Sequence, residues 1–531
     1  MATTQAAHRP RSRALGLLAL PLAFVLAVQP ALAQSPSPAV VPPDAFAVDL
    51  SAFDLPPDAS LAAHAALPVS DDPPIPDGVA PREVAARAAA LVADADPALA
   101  NIALLAERLV YDPIAAFELV RDSIGYDPYA GALRGAAGTL AARAGNDVDR
   151  ALLLQALLGQ MAVRSRLVVG TLGDEAAEAV AARAFAGTAE PLAAMPVDPQ
   201  ELGDIDALLA RARRDHALVR TALGDRLDEA GAAAVSTDGT PQPHVWVQLA
   251  QGADWLDLDP TLPDALPGDT LAEGGSILDA VPEDWRHTVT LRVVAETLED
   301  GALAERTVLD HELDAAAAAH DDIHLALQPE STDLGQTIGE ALGGAAGWLP
   351  ALFVGSEVIR GSAFPVLPAG DIFTGEREGP QVSRLILEVT IASPRSEPRT
   401  TSRVLVDRLD PVARGMDEIP ADALAPLTMR QGVPVELSEV HHIQVSTGAA
   451  DARAHQVWRQ IAALFSELLQ LDPEAAASYG FPMATLPMTV ADETLVLASE
   501  RLIRDGVDRS PMVRAFVAEP RVYLTSVGPA T

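Results

Sequence analysis

Two short segments of this chain bring an imidazole and carboxylates within reach of one another. His244-Val245-Trp246-Val247-Gln248 and Trp255-Leu256-Asp257-Leu258-Asp259 both alternate, the period-2 pattern of a half-buried strand. A two-residue turn at Gln251-Gly252 would join them into a hairpin with His244 opposite Asp259 and Trp246 opposite Asp257. Directly opposed residues have Cβ atoms about 5 Å apart, close enough for an imidazole–carboxylate hydrogen bond. A histidine oriented by an acid is the pair that general-base catalysis requires. It equally serves as a structural pair on a half-buried strand.

The nucleophile is harder to find. The 531 residues contain no cysteine, so no thiolate is available. There is no nucleophile elbow, no phosphate-binding loop and no dinucleotide fingerprint, which removes the common serine-hydrolase and nucleotide chemistries. Two histidine pairs invite a metal reading. His320-Asp321-Asp322-Ile323-His324 has helical i, i+4 spacing, but it follows an alanine run and lacks the central glutamate of a zincin, so a solvated helix face is expected. Glu439-Val440-His441-His442 reads as a strand, where successive side chains point to opposite faces. No metal and no cofactor is expected from either.

The elements that would carry the hairpin are recognisable. Asp96-Pro97 and Asp112-Pro113 each pair an N-cap residue with a proline at the first helical position, opening helices over about 97–110 and 113–124. A helix beginning near Val148 is apolar on nearly every side, through Ala151, Leu152, Leu153, Leu154, Ala156, Leu157 and Leu158, and so belongs in a core. Arg164 to Leu172 reads as a strand. The stretch from about 200 to 230 is helical and highly charged, an exposed insertion. After Trp285 the character shifts to alternating runs, HTVTLRVVAETL, RTVLDHELDA, SRLILEVTIAS and TSRVLVDRL, with RVYLTSV near the end. Arg453–Gln470 and Asp492–Ile503 have the pattern of amphipathic helices.

In order and character, GNDVDRALLLQALLGQMAVRSRLVVG from Gly145, HVWVQ from His244 and WLDLDPT from Trp255 resemble the transglutaminase-like superfamily, over roughly residues 100 to 265. That resemblance implies a papain-like α+β fold. It implies a site in which His244 is the catalytic histidine, Asp259 orients it, and the nucleophilic cysteine stands at the start of the buried helix. Asp147 occupies the cysteine's place. An aspartate there would conventionally be an N-cap. Facing His244, it would add a second carboxylate, raise the imidazole's pKa and leave a poor general base. No serine or threonine occurs between Gly145 and Gln160, and Thr139 would need a rearranged loop to act as nucleophile.

Composition bounds the rest. With 74 acidic against 37 basic residues the net charge is -37, which repels phosphate backbones and anionic membranes and makes nucleic acid a poor partner. Residues 1–33 have the form of a secretory signal: Arg9, Arg11 and Arg13, an apolar core from Ala14 to Val28, and Ala31-Leu32-Ala33 before Gln34. A secreted or periplasmic protein without a membrane span after signal removal is expected. The Ala341–Gly355 run, broken by Pro350 and glycines, is too short to cross a bilayer. The expected organisation is a signal at 1–33, a Pro/Ala-rich linker at 34–82, an α+β transglutaminase-like domain at 83–285, and a β-rich region with added helices at 286–531. Three functions follow: a non-catalytic exported protein whose inherited cleft binds peptide or cell-wall amide groups or serves as a scaffold, an active amide hydrolase or acyl transferase using Asp147, His244 and Asp259, or a cell-surface adhesion or assembly module.

Overall fold

The structure is a computed structural model that describes residues 101–182, 243–330, 346–367, 369–370, 377–430, 433–448 and 517–527, with the single residues 98, 214 and 496. The secretory leader, the 34–82 linker, almost all of the charged 200–230 stretch, the helix expected over Arg453–Gln470 and, apart from residue 496, the one expected over Asp492–Ile503 lie outside them. Among the described residues no helix is long and apolar enough to cross a membrane.

The described chain is α+β: helices packed with an antiparallel sheet, followed by a β-rich region. Helix α1 spans Ile102–Arg108 and α2 Pro113–Ser123. The Asn101 side chain caps the first, accepting from the Ala103 and Leu104 amides, so α1 begins later than the Asp96-Pro97 signal implied. Asp112 caps α2 with Pro113 at its first position, as its sequence predicts. Helix α3 spans Gly135–Ala142 and α4 Asp147–Gln160. In α4, Ala151, Leu153, Leu154, Leu157 and Leu158 are buried, which is where an all-round apolar helix must lie.

Strands β1 (Ser165–Leu172), β2 (Pro243–Gln251), β3 (Asp254–Leu258) and β4 (Ala272–Leu278) form an antiparallel sheet in the order β3-β2-β1-β4. Val245, Val247 and Leu249 of β2 share a hydrophobic core with the leucines of α4 and with Phe117 and Val120 of α2. Alternation turns His244, Trp246 and Gln248 to the other face. The last paired position of β1 and β2 is Thr171 opposite Pro243.

The β2–β3 hairpin corrects the predicted register. Gln251 pairs with Asp254 and Val247 with Leu258, so the turn is Gly252-Ala253. Gly252 takes φ +66, the conformation that glycine supplies at least cost, and this fixes the turn one residue later than the Gln251-Gly252 reading. Asp257 therefore faces Gln248, and Asp259, just past the end of β3, lies level with Trp246. Both acid–aromatic pairs become diagonal, two residues apart on the same face, a spacing long side chains still bridge.

Beyond Trp285, β5 (Thr288–Glu299), β6 (Ala302–Asp314), β11 (Gln381–Ala392) and β12 (Arg399–Asp407) form one antiparallel sheet, ordered β12-β11-β5-β6. A second sheet runs β9-β8-β7-β13-β14, with β10 also paired to β8. Its strands are β7 (Ile323–Pro329), β8 (Ala346–Val354), β9 (Glu357–Arg360), β10 (Phe364–Leu367), β13 (Val440–Ser446) and β14 (Arg521–Val527). Residues of both sheets bury one shared core, Val289, Leu291 and Leu387 with Ile323, Leu325, Leu352 and Ile443. All five strand-like runs expected after Trp285 are strands.

Candidate functional site

The start of α4 carries three polar side chains in four residues, and each has a different task. Asn146 is the N-cap: its Oδ1 accepts the Asp149 amide at 2.9 Å, while its Nδ2 donates to the carbonyls of Tyr129 at 3.0 Å and Gly131 at 2.6 Å. Asp147 is thus the first helical residue rather than the cap, and its carboxylate is free to reach the sheet. Asp149, fully buried, holds the loop before α3. Its Oδ2 accepts from the Tyr129 hydroxyl at 2.7 Å and from the Leu133 and Arg134 amides at 3.1 and 2.8 Å, and its Oδ1 accepts the Gly135 amide at 2.9 Å. Burial pushes the Asp149 carboxyl up and these donors pull against that shift.

Asp147, His244 and Asp259 are brought together. Asp147 Oδ2 accepts the Val245 amide at 3.0 Å and lies 3.3 Å from His244 Nδ1. On the other side of the ring, His244 Nε2 donates to Asp259 Oδ2 at 2.8 Å. The Nδ1 contact is an ion-pair approach without hydrogen-bond alignment, whereas the Nε2 contact is a well-formed bond. Asp259 is itself fixed: the Thr261 amide donates to Oδ1 at 3.1 Å and the Leu271 amide to Oδ2 at 3.0 Å. The turn that carries it is tied to α4 by buried Arg150, whose guanidinium donates to the carbonyls of Pro260 and Val120 at 2.8 and 2.9 Å. One helix thereby positions both acids, Asp147 directly and Asp259 through Arg150.

Electrostatics decide the charge state of the ring. The imidazole is 1% exposed, and burial alone would drive its pKa down. The close approach of the Asp147 carboxylate and the hydrogen bond to Asp259, with the Coulombic attraction of both, outweigh this and lift it to about 10. Burial would raise Asp259, but its bond to His244 holds it below the ordinary carboxylate value. The arrangement is a buried carboxylate–imidazolium–carboxylate triad. Beside it, Trp246 stacks on His244 with ring centroids 6.1 Å apart and donates its indole N–H to Asp257 at 2.7 Å. Gly170, directly across the sheet from His244, leaves the space that Trp246 and Ala272 fill.

Thr139 takes no part in this triad: its hydroxyl donates to the Gly135 carbonyl within α3. The HDDIH histidines do not share a helix. The helical turn formed by the alanine run itself ends at Ala318, leaving His320 exposed in a turn and His324 on β7. The alanines keep their helical turn, and the strand-forming Ile-x-Leu-x-Leu run from Ile323 prevents it from continuing through both histidines. His441 and His442 do point to opposite faces of β13. His441 lies on the core side with its Nδ1 2.7 Å from Ser526 Oγ, and His442 contacts His324. Burial pushes both down to about 4. Among the described residues no group of three or more His, Asp or Glu side chains could hold a metal ion.

No role was assigned from sequence to Asn146, Asp149 or Arg150, all of which lie within the quoted helix segment. A polar residue on an otherwise apolar buried helix is the signal that marks Asp149 and Arg150, since each must find partners in the interior. Compared with known proteins, the chain matches no protein-family profile, and no curated protein matches it.

Proposed function

We propose that this is an exported transglutaminase-like protein whose papain-like cleft is non-catalytic and serves to bind peptide or cell-wall amide groups or to scaffold the β-rich region beside it. One observation carries the reading: His244 is held between two carboxylates and kept protonated well above neutral pH. A general base must be unprotonated at the working pH to accept a proton, and this ring is not. The residue at the helix start is no better placed as a nucleophile. Asp147 Oδ2 already accepts the Val245 amide and faces the imidazolium, so attack through that oxygen would break both contacts. The secretory pattern of residues 1–33 supports export.

The test is an assay of amide hydrolysis and amine incorporation on the purified chain beside His244→Ala. Equal background in both is expected; turnover lost in both His244→Ala and Asp147→Asn would sink the reading in favour of an active hydrolase. Asp147→Cys removes one carboxylate from the ring and supplies a thiol at a helix N-terminus. Iodoacetamide-sensitive turnover in that variant is expected if only the nucleophile separates this cleft from its active relatives.

A further inference from the structure

The β-rich region holds a buried arginine whose hydrogen-bonding capacity is only partly used. Arg408, directly after β12, is 8% exposed and bridges β11 to Ala425. Its amide donates to the Ser383 carbonyl and its own carbonyl accepts from the Ala425 amide, each at 2.8 Å. In the side chain, Nε donates to the Ala425 carbonyl at 2.8 Å and Nη1 to the Val382 carbonyl at 2.7 Å. Nη2 has no partner among the described residues, and no carboxylate there forms an ion pair with the guanidinium.

Arg408 lines a cavity of about 220 Å³, smaller than the roughly 300–1,000 Å³ that take drug-sized ligands. Glu436 and Glu439 line the same cavity, and Leu405, Pro426 and Leu427 give it an apolar wall. Glu436 is fixed by the Thr428 amide, which donates to Oε1 at 2.9 Å and Oε2 at 3.1 Å. Burial would raise the Glu436 carboxyl, but those bonds and the charge of Arg408 hold it below the ordinary carboxylate value. The Glu439 side chain has no partner among the described residues. Asp407 is a third carboxylate on the wall, and it already pairs with Arg414 at 2.6 Å.

We infer that this cavity binds a free α-amino acid with an aliphatic side chain, its carboxylate on Arg408 and its ammonium between Glu436 and Glu439. The charge pattern carries the argument. A ligand with a negative charge alone would meet three carboxylates around one guanidinium. A ligand with a positive charge alone would close the site over the Nη2 donors and leave them unpaired. A molecule that holds both charges a few bonds apart satisfies both ends, and the small volume selects a single residue over a peptide. The two N–H groups of Nη2 make charge-assisted bonds to a carboxylate, the stronger kind. Leu405, Pro426 and Leu427 then cover the aliphatic chain. None of the triad residues lines this cavity, so the inference stands apart from the reading of the His244 cleft.

The experiment titrates the full-length chain with leucine by isothermal calorimetry, beside isocaproate and isopentylamine, which are leucine without its ammonium and without its carboxylate. One leucine per chain is expected, with each truncated analogue at least tenfold weaker. No heat with leucine at millimolar concentration, or either analogue binding as tightly as leucine, would overturn the proposal without reliance on any variant's folding. Glu439→Gln breaks no side-chain contact among the described residues and should weaken leucine at least tenfold. Glu357→Gln on β9 removes the same charge elsewhere and should leave affinity unchanged. Equal affinity in wild type and Glu439→Gln, or an equal loss in both variants, would assign any binding to the acidic surface and overturn it too.

Discussion

At the residue scale, the triad makes a claim about protons that can be measured. His244 has a folded pKa raised to about 10 against about 6.5 unfolded. A group raised on folding stabilises fully below its unfolded value, and that contribution is lost as pH rises through the folded one. Stability should therefore fall between about pH 6.5 and 10 more steeply in wild type than in His244→Gln, as read from urea midpoints. Histidine labelled at Cε1 should show one ring that stays protonated past pH 9; a His244 signal that titrates near 6.5 would remove the imidazolium. Asp259 has the opposite sign: its contribution is present above the ordinary carboxylate value and lost as pH falls through its lower folded value. Asp149 is a different kind of carboxylate. Its four accepted hydrogen bonds join a loop to a helix, and Asp149→Ala leaves two buried amides, the half-buried Gly135 amide and a phenol without their acceptor. Roughly 3–5 kcal/mol of lost stability is expected, measured by chemical denaturation.

At the element scale, most of what positions the site could be read in advance. The apolar α4, strand β1 and the five later strands follow from periodicities that one buried face imposes. The hairpin was legible as a hairpin but not in register, because the choice between two adjacent turns depends on which residue adopts a positive φ, and Gly252 stands in both. The His–Asp encounter survived that slip because diagonal neighbours share a face. The HDDIH segment failed for another reason: alanine propensity is local, while Ile323, Leu325 and Leu327 are claimed by a distant sheet. Asp147 was placed correctly in space and wrongly in the helix frame, since Asn146 and Asp147 are both competent caps and only the loop carbonyls of Tyr129 and Gly131 select the first. Two substitutions test the packing. Leu154→Ala, inside α4, should cost about 2–5 kcal/mol. Gly170→Ala would place a methyl group 2.8 Å from both Ala272 Cβ and the Gly274 carbonyl, and should cost roughly 1–3 kcal/mol while disturbing Trp246 fluorescence.

At the scale of the whole molecule, the α+β part and the β-rich part are joined by buried polar contacts. Arg134, under the Tyr129 ring, pairs with Asp127 at 2.6 Å and donates to the Thr447 carbonyl at 3.2 Å. His287 reaches both ways, its Nε2 2.8 Å from the Ala130 carbonyl and its Nδ1 2.9 Å from Ser393 Oγ. The two parts should therefore melt together, and Arg134→Ala, which strands buried Asp127 without its cation, should split one calorimetric transition into two. The pairing of Thr171 with Pro243 has its own bearing on chain design. Strands β1 and β2 are sheet neighbours joined in the chain by residues 173–242, and their ladder closes at Thr171 and Pro243. Replacing residues 183–242 with a flexible linker of about 15 residues would shorten the chain between the two strands roughly threefold, a gain of about 1 kcal/mol in closure entropy. The triad ought to assemble as before in so trimmed a protein, which would make it the smaller vehicle for grafting a thiol into position 147.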